Sequence, residues 1–418
     1  MGVRLVYIVL ITYIYCMNRR FLLVLLFTGL FFSPKIFSQT FYGDTLWMRD
    51  YSSSGAFSCS FSPDGTKLAI AYECMGPMVR VVDVNNGNIL WESQTPDLCL
   101  YSVQFSSNGQ YIAIAEELGH LVVVDMTIPD TVYNINTSSG GLFGVDFSAS
   151  GDKIYTGCAD GTIRIYETTT GTLEHIIPAA HSNSVLSIDV SSTDHYLVSG
   201  GKDNMVKVWD LTNNYQLVYA WMDAMDDVKA VKFTPDENRI ITTSIDDNIY
   251  TYWMPTGSLD TILTFHSADV NAVDISADGS FAVTGANDQT AVMFNLHNYD
   301  SITTFTNLWQ TRVYGVAISP DMTKLATANH IGFVILYDIH TLVGTENYVQ
   351  GSLNIYPNPA TDYLMISGLQ NTAGYEILDM NGKVVQSGNT ANYLGLNSFP
   401  GGMYILHIGS SFSRFIRQ

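Results

Sequence analysis

The chain repeats one short phrase seven times at nearly constant spacing. An apolar residue is followed by Ser or Thr and a turn, with copies beginning at Phe61, Phe105, Phe147, Val190, Phe233, Ile275 and Ile318. The intervals are 44, 42, 43, 43, 42 and 43 residues. Each copy is followed by two short runs of alternating apolar residues, separated by Gly, Asn or Asp, which is typical of β-strands joined by tight turns. Seven such units predict an all-β, seven-bladed β-propeller over residues 40–341.

The two ends of the repeat region are expected to meet in one blade. The seventh unit supplies only three strands before it ends near residues 338–341. The segment TLWMRDY, residues 45–51, precedes the first unit and has the length of one strand. We therefore predict that this segment pairs with the last unit, because such pairing would close the ring and remove its free sheet edges.

The units resemble WD40 repeats over roughly residues 44–341. In that family, His, Ser or Thr, Asp and Trp form a hydrogen-bonded tetrad that clips the strands of a blade together. The best unit has all four residues at the matching places, namely His181, Ser199, Asp203 and Trp209. A second unit has His266, Thr284 and Asp288, with Phe294 at the Trp place. A third is assigned Thr243, Asp247 and Trp253, with Met225 at the His place. The resemblance implies structural roles for these residues and no catalysis.

The first residues have the layout of a secretory signal. Arg19 and Arg20 precede the apolar run 21–32, and cleavage after Ser38 would leave a mature chain that begins at Gln39. We therefore interpret residues 1–38 as a signal peptide. We expect the true start to be Met17, because residues 1–16 form a second apolar stretch that is too short to span a bilayer.

The end of the chain resembles a second export signal. Residues 342–353 read as a linker, and residues 354–418 as a small β-sandwich with Asn-Gly and Pro-Gly turns. This tail resembles the type A-like C-terminal sorting domain of type IX secretion cargo in Pro357-Asn358-Pro359, Asp362, the 379–383 hairpin and the Gly402-Met403-Tyr404 strand. The resemblance implies recognition by the type IX secretion machinery and localisation outside a Gram-negative cell, either released or on its outer surface. An ordinary appended adhesion domain is the alternative.

Composition and motifs argue against several functions. The chain has 19 Lys and Arg against 39 Asp and Glu, a formal charge of −20, whereas nucleic-acid binding needs a basic surface. Neither the nine His residues nor the cysteines show metal-ligand spacing, and GxSxG, HExxH and GxxxxGK[ST] motifs are absent from the sequence. The phrase DVNNGNILW, from Asp83, resembles the docking motif of quinone-cofactor propellers but occurs once. We therefore expect no enzyme activity, no cofactor, no catalytic residue and no membrane span.

The remaining interpretation is a binding scaffold for a protein or glycan at the cell envelope. In WD-type propellers, the loops that enter each unit and the turns between its second and third strands share one face, here called the loop face. That face would carry Tyr72, Glu73, Glu116, Glu117, Trp221, Met222, Asp223, Met225, Asp226, Asp227, Asp246, Trp309 and Phe333. Trp221 and Trp309 are the candidate partner-binding residues, or alternatively they cover blade seams. A propeller enzyme with a channel active site and a glycan-binding adhesin are the rival functions.

Two further features of this face are open from sequence. Asp223, Asp226 and Asp227, beside Asp246 and Asp247, could hold a hard cation such as Ca²⁺, although acidic loops are usually solvated. Cys74 and Cys99 should lie on the same face, where a disulfide between them is feasible if their Cα atoms approach within about 7 Å.

Overall fold

The structure of the protein is a computed structural model. The described residues are 44–51, 55–72, 79–93, 99–306 and 311–343, with 354–356, 363–367, 373–378, 384–390, 393–396, 400–408 and 411–417 in the tail. The predicted signal peptide, most of the linker, Cys74, Trp309, and the 357–359 and 379–383 motifs lie outside these residues.

The repeat region forms seven four-stranded antiparallel sheets, which are the blades of a propeller. The first three blades are β2 (Ala56–Phe61), β3 (Lys67–Tyr72), β4 (Val79–Asp83) and β5 (Ile89–Glu92); β6 (Leu100–Phe105), β7 (Tyr111–Glu116), β8 (His120–Asp125) and β9 (Asp130–Asn136); and β10 (Leu142–Phe147), β11 (Lys153–Cys158), β12 (Ile163–Glu167) and β13 (Leu173–Ile177).

The next three blades follow the same order. They are β14 (Val185–Val190), β15 (Tyr196–Gly201), β16 (Val206–Asp210) and β17 (Gln216–Trp221); β18 (Val228–Phe233), β19 (Arg239–Ser244), β20 (Ile249–Trp253) and β21 (Ser258–Leu263); and β22 (Val270–Ile275), β23 (Phe281–Ala286), β24 (Thr290–Asn295) and β25 (Ser301–Thr306). In each blade the first strand is innermost and borders the central channel, and contacts between first strands run round the ring.

The seventh blade confirms the predicted closure. Its strands β26 (Val313–Ile318), β27 (Lys324–Asn329) and β28 (Phe333–Asp338) are completed by β1 (Asp44–Asp50), which pairs antiparallel with β28. The Trp47 indole N–H donates to the Val84 carbonyl at 2.7 Å, so β1 is also bonded to the first blade. A short helix α1 (His340–Val343) follows the ring.

The recurring Ser or Thr of the repeat phrase stabilises the turn between the first and second strands. In the first blade, Ser62 Oγ accepts a hydrogen bond from the Lys67 N–H at 2.9 Å and donates to Asp64 Oδ1 at 2.5 Å. The same bond to the N–H five residues later occurs at Ser106, Ser148, Ser191, Thr234, Ser276 and Ser319. A hydroxyl at this place satisfies a backbone donor that the turn would otherwise leave unpaired.

The core of the propeller lies in the seams between blades. Seven clusters of buried apolar side chains each combine residues of two neighbouring blades. The second and third strands alternate side chains between two faces and are nearly all buried, because both faces of every blade are covered. Along the outermost strand of a blade, most side chains are exposed and the others are partly buried.

The described tail strands form the two sheets of a small β-sandwich. One sheet has the order β29 (Asn354–Tyr356), β30 (Tyr363–Ser367) and β33 (Tyr393–Gly395), and the other β32 (Val384–Thr390), β31 (Ala373–Leu378), β34 (Gly402–Ile408) and β35 (Ser411–Arg417). Leu364 and Leu394 in the first sheet and Ile377 and Leu406 in the second are buried. Among the residues described here, no helix reaches the length and apolarity of a membrane span.

Candidate functional site

The fourth blade brings the four predicted tetrad residues together. Asp203 Oδ1 lies 2.7 Å from His181 Nδ1, and His181 Nε2 lies 2.8 Å from Ser199 Oγ. The Trp209 indole N–H donates to the same Ser199 oxygen at 2.9 Å. Because the carboxylate accepts a hydrogen bond from Nδ1–H, Nε2 accepts one from the Ser199 hydroxyl. One chain of hydrogen bonds thus links the second and third strands, the turn between them and the entering loop.

The sixth blade repeats this arrangement without the indole. His266 Nδ1 lies 2.9 Å from Asp288 Oδ2, and His266 Nε2 lies 2.8 Å from Thr284 Oγ1. Phe294 fills the Trp place and is fully buried, so it contributes packing but no hydrogen bond.

Both tetrad aspartates are held in the charged form. Burial raises the pKa of Asp203 and Asp288, but the hydrogen bonds donated by the adjacent His and by the entering loop outweigh it and lower each pKa to about 2. Each carboxylate also accepts a backbone N–H of the entering loop, from Ser182 at 2.9 Å and from Ser267 at 3.1 Å. With every polar atom of the His and Asp engaged, these groups fasten the loop to the blade.

In the fifth blade, the structure shifts the sequence assignment by one residue. By strand register, Ile240 faces Tyr252 just as Leu197 faces Trp209. The tetrad places therefore belong to Thr242, Asp246 and Tyr252, and not to Thr243, Asp247 and Trp253. Asp246 Oδ2 accepts the Met225 N–H at 2.7 Å, the bond that Asp203 makes with Ser182 in the fourth blade.

A ring of charged side chains lies in the channel wall. Each of three aspartates accepts a backbone N–H from the next inner strand at 2.7–2.8 Å, in the pairs Asp146–Val190, Asp189–Phe233 and Asp274–Ile318. Lys232 Nζ donates to Asp189 Oδ1 at 2.7 Å. Burial and the neighbouring Asp189 charge raise the pKa of Asp146 to about 7, because three carboxylates share a single buried ammonium group.

An arc of four aromatic rings lines half of the channel mouth on the loop face. Tyr314, Phe57, Tyr101 and Phe143 occupy the same position, the second residue of the inner strand, in blades seven, one, two and three. Successive ring centroids are 4.9, 5.9 and 4.7 Å apart. All four side chains are half-buried, so the arc keeps exposed aromatic surface in a cavity of about 450 Å³, here called the mouth cavity.

The rest of the mouth cavity wall is largely polar and carries cations. Leu186, Lys229 and Asn271 continue the same ring position in blades four, five and six, and Lys202, Asp269, Asn287 and Arg312 also line the cavity. Lys202 Nζ lies 5.7 Å from the Phe143 ring centroid. Burial lowers the pKa of Lys229. Three cations at one opening contrast with the acidic chain as a whole, and therefore favour a ligand with negative charge and a flat or apolar surface.

Trp221 lies in the seam between the fourth and fifth blades. Its ring stacks on Tyr252 with a centroid distance of 4.3 Å and on Tyr219 at 5.3 Å, and its indole N–H donates to the Gly257 carbonyl at 2.8 Å. This half-buried packing corresponds to the seam-covering alternative, so a partner contact by Trp221 stays a prediction. Trp309, the second candidate, lies outside the described residues.

Two other residues that were expected to be exposed on the loop face are buried. Tyr72 is fully buried and Glu116 is 1% exposed, because each ends the second strand and faces the seam. Met222 and Met225 are exposed, at 70% and 86%.

The acidic loop forms its own hydrogen bonds. Asp246 Oδ2 also accepts the Tyr250 hydroxyl at 2.7 Å, and Asp226 Oδ1 accepts the Asp227 N–H at 2.8 Å. Within the described part of the chain, no three His, Cys, Asp or Glu side chains cluster as metal ligands would.

The cysteines divide into two groups. Cys59 and Cys158 are buried free thiols, and burial raises the pKa of each. Cys99 is disulfide-bonded. Because Cys74 is outside the described residues, the predicted Cys74–Cys99 pairing stays a prediction.

Comparisons with known families match both parts of the chain. The repeat described as "WD domain, G-beta repeat" matches residues 130–167, 171–210 and 257–295, each running from the outer strand of one blade to the third strand of the next. The "Secretion system C-terminal sorting domain" matches residues 354–418. The chain is a WD-repeat propeller with a sorting tail. The tail is of the type IX secretion class, which confirms the interpretation of residues 354–418 as an export signal.

Relatives of the WD-repeat region are found in eukaryotes. The COMPASS component SWD3 of Saccharomyces cerevisiae is 24% identical over 46% of this chain and 62% of its own length. Eukaryotic translation initiation factor 3 subunit I of Eremothecium gossypii is 26% identical over 49% of this chain and 63% of its own. Autophagy-related protein 16 of Arabidopsis thaliana is 28% identical over 44% and 37%. The chain thus spans less than two thirds of each of these relatives.

Proposed function

We propose that the exported WD-repeat propeller is a non-catalytic scaffold that binds a protein or glycan partner at the outer surface of a Gram-negative cell, and that the partner docks over the mouth cavity. The observation that carries the proposal is the aromatic arc of Tyr314, Phe57, Tyr101 and Phe143, which keeps exposed ring surface in a cavity that three cations also line. Aromatic anchors beside charged groups are typical of binding hot spots.

The relatives support a scaffold role by analogy. By their printed names, two of them are components or subunits of larger assemblies. The tetrads support it as well, because their His and Asp side chains are occupied with loop fastening and none is left to act on a substrate.

A channel enzyme is the second candidate, on one specific observation. Asp146, Lys232 and Asp274 line a channel cavity of about 310 Å³, and a carboxyl group with a pKa of about 7 suits a general acid or base. Against this, Asp146 already accepts the Val190 N–H and is only 8% exposed, so its role in joining adjacent inner strands is the simpler account.

The test uses the full chain to capture partners from native envelope and culture medium. We expect wild type to retain a partner that Tyr101→Ala loses, because Tyr101 is central to the arc. The control is Leu217→Ala, an exposed residue of the outer strand β17 at 50% exposure, which should retain it. Retention that falls with added salt would reflect the mouth cations, and protease or periodate treatment of the extract distinguishes protein from glycan. Equal retention of the partner by wild type, Tyr101→Ala and Leu217→Ala would contradict docking over the mouth cavity.

Trp221→Ala separates the two roles of that residue. If Trp221 only covers the seam, the variant melts at a lower temperature and still binds the partner. If it contacts the partner, binding is lost while most of the stability remains.

A further inference from the structure

A second cavity lies between the first two blades, away from the channel. It has a volume of about 240 Å³, and we call it the seam cavity. Most of its wall is apolar, formed by Val79, Leu100, Ile114, Val122, Val124 and Pro129, with the half-buried Trp91 beside them.

Glu116 also lines the seam cavity and is almost fully buried. It ends β7 and is 1% exposed. Its Oε2 has no hydrogen-bond partner among the described residues. Burial raises the pKa of Glu116, and the nearby His120 charge offsets this only in part. A buried carboxylate oxygen without a donor is unfavourable unless something else supplies one.

The other blades have no carboxyl group at the position that Glu116 occupies in the second blade. Glu116 is the register partner of Leu100, the first residue of its inner strand. The residues at the same register in the other six blades are Tyr72, Cys158, Gly201, Ser244, Ala286 and Asn329. None of the six is an acid, so the blade does not need a carboxyl group at this position.

We propose that the seam cavity binds an organic ammonium ion carried on an apolar body, with Glu116 as its counter-ion. The ammonium group would donate to the unpartnered Glu116 oxygen and supply the missing positive charge. The apolar body would pack on Leu100, Val122 and Val124, and the Trp91 ring adds a surface that attracts cations. Asp130 and Asn134 line the same cavity and provide its polar border.

The ammonium group has two sources, a free amine or the side chain of a lysine in a partner. Thermal scans and calorimetry of the full chain at pH 8 distinguish them, with n-butylammonium and benzylammonium as free amines and Nα-acetyl-lysine amide as the lysine probe. 1-Butanol and benzyl alcohol serve as uncharged controls. We expect the amines to raise the melting temperature in a concentration-dependent way, because a ligand of the folded state stabilises it. Binding of the lysine probe as well would assign the cavity to a partner's lysine, and binding of free amines alone to a small molecule.

Matched variants identify the counter-ion. Glu116→Gln keeps the shape of the side chain and should weaken amine binding at least tenfold. Glu117→Gln removes an exposed neighbouring carboxylate that does not line the cavity, and it should leave binding within twofold of wild type. Equal binding by wild type and Glu116→Gln, loss of binding in Glu117→Gln instead, or equal effects of amines and alcohols would overturn the proposal.

A measurement on wild type alone gives an independent check. Binding needs the ionised carboxylate, so affinity should fall as the pH is lowered and Glu116 is protonated, while the amine stays charged throughout. Amine affinity that does not change between pH 8 and pH 4 would also overturn the proposal.

Discussion

The shared hydroxyl of the fourth-blade tetrad offers a quantitative test of what the tetrad contributes to stability. Ser199 is fully buried, and its oxygen bonds both His181 and Trp209, themselves 2% and 7% exposed. Ser199→Ala leaves His181 Nε2 and the indole N–H without partners. An unsatisfied buried polar group costs about 1–3 kcal/mol, so the two together should lower the free energy of unfolding by about 2–6 kcal/mol.

The sixth blade supplies the matched comparison. Thr284→Val keeps the side-chain shape and leaves only His266 Nε2 unpaired, because Phe294 has no N–H to donate. Its expected cost is about 1–3 kcal/mol, roughly half that of Ser199→Ala. Urea unfolding followed by tryptophan fluorescence measures both, with an unchanged denaturant slope as the check that the unfolded states are alike.

A double mutant isolates the indole bond. Trp209→Phe in the wild-type background removes one donor and one packing surface, whereas in the Ser199→Ala background it removes packing alone. The coupling between the two changes should be about 1–2 kcal/mol, as for neighbours in one hydrogen-bond network. If Ser199→Ala costs no more than Thr284→Val, or if the coupling is near zero, the tetrad does not stabilise the blade through these bonds.

Three further changes test other parts of the ring. Asp146→Asn keeps an acceptor oxygen but cannot ionise. Because the folded pKa of Asp146 is raised to about 7, wild type should lose about 3 kcal/mol of stability relative to the variant as the pH rises from about 4 to 7. A stability difference that stays flat in urea unfolding across this range refutes this prediction. Gly257→Ala places a Cβ 2.2 Å from Tyr219 at a φ of +66° and should lower the free energy of unfolding by about 2–4 kcal/mol. Gly65→Ala is the control and should cost about 1 kcal/mol, because φ is +68° there but the nearest atom is 3.7 Å away. Equal shifts in melting temperature for the two variants would contradict the clash with Tyr219. Deletion of residues 44–50 should cost at least about 5 kcal/mol, since a buried Trp alone contributes about 3–5 kcal/mol, and an unchanged melting temperature would show that β1 does not close the ring.

The ring itself could be predicted because its units repeat. Even spacing of the Ser and Thr turns gave the number of blades, and the missing fourth strand of the last unit pointed to residues 45–51. The tetrads of blades four and six followed from the resemblance to WD40 repeats. In blade five, the choice of Trp253 over Tyr252 moved the assignment one residue off the spacing from the repeat phrase that those two blades share. Its residues come in pairs, Thr242 with Thr243 and Asp246 with Asp247, and a shift of one residue along a strand moves a side chain to the other face.

The mouth and seam cavities were harder to find from the sequence. The aromatic arc joins side chains more than forty residues apart, although aligning the second residue of every inner strand would have brought Phe57, Tyr101, Phe143 and Tyr314 into one column. Glu116 was expected on the surface because it precedes a turn. Its burial depends on how the neighbouring blade covers it, and a single repeat unit carries no information about that.

The pairing of Asp44 with Asp338 makes the seventh blade the place where both ends of the domain leave the ring. The strand synthesised first therefore pairs with the strand synthesised last, so the ring stays open until the whole repeat region has been made.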